Sequence, residues 1–94
     1  MPQYLIQRKI PNAGKLTPAD LKHIAQTSNA ALEQLGGKVQ WVHSYVNDDE
    51  VNCIYRAPNA DLVREHARIG GFPADRVLEI RTVIDPVTAE SNAI

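Results

Sequence analysis

The chain has 94 residues, 44% of them hydrophobic, a formal net charge of −1 and a pI near 6.3. That length holds one domain with one core, and the balanced charge excludes the basic footprint of a nucleic-acid binder or of a protein that rides an anionic membrane. Cys53 is the single cysteine, so no intrachain disulfide can form and a reducing, cytoplasmic setting is expected.

The opening, MPQYLIQRKIP, carries no apolar run long enough for a signal peptide or a membrane span. Residues 4–10 read as a first strand, closed by Pro11 and a polar loop over 12–15. Thr17-Pro18-Ala19-Asp20 then announces a helix: threonine caps, proline fits the first helical position, and Asp20 favours the positive N-terminal end. Leu21, Ile24, Ala25, Ser28, Ala31, Leu32 and Leu35 recur at helical spacing, and Gly36-Gly37 ends the element. Residues 39–46, rich in valine and aromatics, suit a strand. A turn at Asn47-Asp48-Asp49-Glu50 returns the chain as a strand over 51–56, making an antiparallel hairpin. Pro58 stops that strand and Asn59 caps a second helix over 60–69, ended by Gly70-Gly71. A last strand is expected over 77–84, closed by Asp85-Pro86, leaving a polar tail over 85–94 outside a core over 4–84.

Strand, helix, strand, strand, helix, strand is the split βαβ order. The expected fold is therefore α+β, a ferredoxin-like βαββαβ domain with two helices on one face of a four-stranded antiparallel sheet. The other face then needs cover. Strand alternation places Trp41, His43 and Tyr45 on one side. On the helix-free face they would form an aromatic patch suited to a homodimer interface; the alternative packs Trp41 and Tyr45 under the helices.

Three side chains can carry chemistry: His43, Cys53 and His66. His66 follows Val63 by three residues and Leu62 by four, so it points inward, where a histidine is as a rule a hydrogen-bonded core residue. A single cysteine is usually a small buried hydrophobe. Imidazole and thiolate are nonetheless ligands that late divalent transition metals favour. No CxxC or HExxH pair is present, so only the fold can bring these donors together. Hairpin parity matters here. A four-residue turn pairs Val46 with Val51 and His43 with Ile54, putting Cys53 on the opposite face; an odd turn puts His43 and Cys53 together. His23 lies off the apolar stripe of its helix and reads as a solvated surface residue.

The blocks His43-Ser44-Tyr45-Val46, Cys53-Ile54-Tyr55-Arg56-Ala57-Pro58, Arg64-Glu65-His66-Ala67 and Gly71-Phe72-Pro73-Ala74-Asp75-Arg76-Val77 carry a resemblance over residues 4–84. The chain resembles a family of small bacterial proteins long catalogued as a domain of unknown function, whose better-studied members are nickel-binding, ferredoxin-like homodimers. That resemblance implies a cytoplasmic dimer holding nickel with residues of both subunits, and it carries the metal-ligand types onto His43, Cys53 and His66. Storage, buffering or sensing of a divalent metal is the function expected. The alternative, by analogy with the fold, is a small cofactor-independent monooxygenase or isomerase with a pocket near Tyr45 and His66.

Overall fold

The computed structural model describes residues 1–91. Three helical or strand boundaries follow directly from local chemistry. The Thr17 hydroxyl accepts a hydrogen bond from the Asp20 N–H at 3.1 Å, while the Asp20 carboxylate accepts from the Thr17 N–H at 2.9 Å. This reciprocal cap, with Pro18 at the first position, starts α1, Pro18–Gln34. Asn59 caps α2, Ala60–Gly70, by accepting from the Leu62 N–H at 2.9 Å. Gly71, with φ of 72°, ends α2 in the left-handed conformation that glycine adopts without a Cβ penalty.

The strands are β1, Gln3–Lys9; β2, Gln40–Val46; β3, Glu50–Arg56; and β4, Arg76–Ile80. They form one antiparallel sheet in the order β2-β3-β1-β4, the ferredoxin-like α+β architecture expected. Alternation along β1 sends Tyr4, Ile6 and Arg8 to the helix side, where all three are buried. Among the described residues, Ile6, His66 and Val63 are the largest side chains wholly removed from solvent, so the core sits between α2 and the centre of the sheet.

The opposite face is open. Across it the register aligns His43 with Ile54, Ile54 with Leu5, and Leu5 with Leu78. Leu5, Ile54 and Leu78 are only half-buried, so an apolar stripe crosses the sheet with an exposed imidazole at its edge.

Two expectations need correction. Trp41, His43 and Tyr45 do not share a side: a bulge between Trp41 and His43 leaves Val42 as an extra residue. Trp41 therefore pairs with Tyr55 on the helix side, whereas His43 and Tyr45 lie on the open face with their rings edge-on, 4.9 Å apart. The last strand ends at Ile80 rather than at residue 84: Ile80 pairs with Gln3, the first residue of β1, and the preceding Pro2 has no N–H with which to extend the ladder. The loop after β1 contains a 3-10 turn, Ala13–Lys15, and the tail another, Pro86–Glu90, capped by Asp85. Residues 92–94 of that tail lie outside the described residues.

Candidate functional site

His66 projects from the buried face of α2, as its spacing from Leu62 and Val63 requires. Its Nε2 lies 3.2 Å from the Ser28 hydroxyl oxygen and 3.4 Å from the Ser28 carbonyl oxygen of α1. A carbonyl can only accept, so the pairing with it places the proton on Nε2 and leaves Nδ1 as a bare acceptor. Nδ1 is buried and has no partner among the described residues. The ring also packs against Tyr55, with centroids 5.0 Å apart, and Phe72, at 6.2 Å. Burial pulls the His66 pKa below its ordinary value; the nearby Arg8 charge acts in the same direction, and the Ser28 carbonyl opposes both.

That direction fixes a pH dependence. Above about pH 6.5 the ring is neutral in both folded and unfolded chains. As pH falls below that value, the unfolded chain binds a proton that the folded one refuses, so stability is lost by at most about 1.4 kcal/mol per pH unit until the folded pKa is reached. Chelator-treated His66→Gln, which keeps an amide toward Ser28 and does not titrate, is expected to lose this part of the acid slope in urea unfolding followed from pH 7.5 to 5. An unchanged slope would place the acid sensitivity elsewhere.

Beside His66 stands a second buried group. Arg8 is 3% exposed, donates to the Pro73 carbonyl and, through Nη2, to the Tyr55 hydroxyl at 3.2 Å. Its guanidinium carbon lies 5.5 Å from the Phe72 ring centre and 6.0 Å from that of Tyr55. Burial pushes the Tyr55 phenol up to about 12, with the adjacent Cys53 adding to the rise and Arg8 opposing it. Tyr55 is therefore a neutral hydroxyl at any physiological pH. Gly70 leaves room for this cluster: a Cβ there would lie 2.5 Å from the Phe72 ring and displace it.

A cavity of about 300 Å³ opens between α1 and the sheet, next to this cluster. Cys53, buried on β3, contributes to its wall, as do Arg8, Ser28, Ser44, Trp41 and Tyr55. The Trp41 indole N–H donates to the Ser44 hydroxyl at 2.9 Å, fixing the ring at the cavity edge.

The expected donors fall into two places. Val46 pairs with Val51 and His43 with Ile54, so the four-residue turn puts Cys53 and His43 on opposite faces of the sheet. Cys53 and His66 both border Tyr55 on the helix side, whereas His43 is exposed on the open side. Among the described residues, no three His, Cys, Asp or Glu side chains of one chain converge on a common point. His23 is exposed, as expected. Tyr45 and His66 also lie on opposite faces, so the pocket imagined near both is corrected to one lined by Tyr55 and Arg8. Arg8 and Tyr55 carry no functional mark in their sequence positions, and Ser28 reads there only as a member of the packing stripe of α1. The alternation Tyr4, Ile6, Arg8 is the one signal that marks Arg8 as buried.

These features define a ferredoxin-like α+β domain with an arginine-bordered cavity on one face of its sheet and an exposed imidazole on the other. The chain belongs to the SCO4226-like family, described as nickel responsive, whose sequence pattern matches residues 4–80. It is similar in fold to the crystal structure of SCO4226 from Streptomyces coelicolor A3(2), with a TM-score of 0.75 at 15% identity over 87% of this chain and 99% of that one. No curated protein matches the chain significantly.

Proposed function

We propose that the protein binds a divalent transition metal, nickel first, as a cytoplasmic homodimer with a metal site that draws on both copies. Membership of a family described as nickel responsive, over residues 4–80, carries this reading. The donor chemistry supports it: imidazole and thiolate suit nickel, and His66 keeps a ring nitrogen with no partner among the described residues. His43, Cys53 and His66 are the proposed ligands. The sheet keeps His43 apart from Cys53 and His66 in each chain, so the site proposed to be shared is built on the His43 rings of both copies, with Cys53 and His66 as donors on the helix side. The apolar stripe Ile54, Leu5 and Leu78 on the open face is the surface proposed for that copy, placing His43 at the interface.

Bound nickel would lower the free energy of the folded state by about 2.7 kcal/mol at a concentration a hundred times its Kd. For a domain of this size that is a rise of roughly 10–20 °C in melting temperature. The expected result, with untagged protein at pH 7.5, is saturable heat by titration calorimetry and a rise of that order by differential scanning. Binding should weaken as pH approaches 5, because imidazole coordinates only when neutral. His43→Ala is expected to lower affinity about tenfold or more, whereas His23→Ala leaves it unchanged. Neither heat nor a melting shift with nickel in the high micromolar range would end the proposal.

A further inference from the structure

We propose that the cavity between α1 and the sheet is a binding site for a small aromatic or branched aliphatic carboxylate, with Arg8 as its counter-ion. The cavity measures about 300 Å³. An engineered cavity of about 150 Å³ in another protein accommodates benzene, so twice that volume suits one ring with a short acid chain. Leu16, Leu21 and Ile24 wall it from the α1 side, and Trp41, Val46 and Val51 from the sheet. Those six side chains offer an organic ligand contact but no charge.

Arg8 supplies the charge. It is 3% exposed and lines the same cavity. Its two hydrogen-bond acceptors, the Pro73 carbonyl and the Tyr55 hydroxyl, are neutral. Among the described residues, none places a carboxylate in ion-pair contact with it. A guanidinium has five N–H donors, so several remain for a ligand. A buried cation lacking a counter-ion is costly, and a carboxylate matches the guanidinium fork in shape as well as charge. A single arginine in a wall with no other charged side chain favours a monoanion over a phosphate or a dicarboxylate. The Ser28, Ser44 and Tyr55 hydroxyls border the cavity and can orient the second carboxylate oxygen or a polar substituent.

Trp41, the only tryptophan, lines the cavity and reports on its contents. The native protein, kept metal-free with chelator, is titrated with 3-phenylpropionate and with its neutral isostere 3-phenylpropanamide while Trp41 fluorescence is followed. The acid is expected to produce a saturable change and to bind about tenfold or more tightly than the amide, as a charge-assisted pair requires. Ala25→Phe, which fills the cavity from α1, is expected to lower acid affinity about tenfold or more, with a melting transition verifying that the variant folds. Equal affinity for acid and amide, no saturable change with either, or undiminished binding by folded Ala25→Phe would overturn the proposal. The acid–amide comparison needs no variant, and the chelator keeps its outcome separate from that of the nickel reading.

Discussion

Removing the His66 ring is expected to lower the melting temperature of the metal-free protein by roughly 12–24 °C. His66→Ala empties a position that is wholly buried, between Tyr55, Phe72 and Ser28. Deleting a buried ring costs about 3–5 kcal/mol, and the unsatisfied Ser28 partner adds to the loss. Taking the low end, about 3 kcal/mol, each kcal/mol is worth roughly 4–8 °C in a domain of under a hundred residues. Scanning calorimetry in chelator measures it, and a shift below about 4 °C would mean that the ring is not part of the core. The same variant tests the ligand role through a different readout. If Nδ1 coordinates nickel, His66→Ala lowers nickel affinity about tenfold or more and the loaded protein loses more stability than the metal-free one. Cys53→Ser gives an independent check, because serine keeps the size but is a poor ligand for a soft site. Destabilisation by both substitutions with nickel affinity unchanged would make His66 and Cys53 core residues only.

Much of this arrangement is written in short stretches of chain. The Thr17 cap, the Asn59 cap and the paired glycines delimit both helices, so the order of the six principal elements can be read locally. The inward direction of His66 follows from two spacings on one helix. Hairpin register follows from the length of one turn, and Val46 pairing Val51 places His43 opposite Ile54. The bulge at Val42 has no such mark: valine suits either a regular or a bulged strand, and the extra residue is decided by hydrogen bonds to β3. It alone separates Trp41 from His43 and Tyr45. The early end of β4 is likewise a property of its neighbour, since Pro2, just before β1, offers no N–H to extend the ladder. Arg8 is the most instructive case. Its position in the alternation marks a buried site, yet a charge there reads as surface until Tyr55 and Phe72, both remote in sequence, arrive to stack on it.

Ile54→Glu is expected to weaken the proposed dimer by a factor of about a thousand or more. Ile54 lies in the middle of the open face, between His43 and Leu5, so the substitution leaves the helix-side core untouched. In a two-fold interface every substitution acts twice. Burying an unpaired carboxylate costs several kcal/mol, and bringing like charges together adds to it. A total of about 4 kcal/mol already corresponds to a thousandfold change in Kd. Sedimentation equilibrium at micromolar concentration reads the result: a dimer for the native chain and a folded monomer for Ile54→Glu. A dimer that survives the substitution would move the interface off the sheet face, and a native monomer would remove the dimer altogether. Nickel supplies the second half of the test. If the site draws on both copies, nickel tightens the native dimer, and reciprocity requires that losing the dimer weaken nickel binding by the same factor. An Ile54→Glu monomer that binds nickel as tightly as the native protein would therefore place the entire site within one chain, on the helix side with Cys53 and His66.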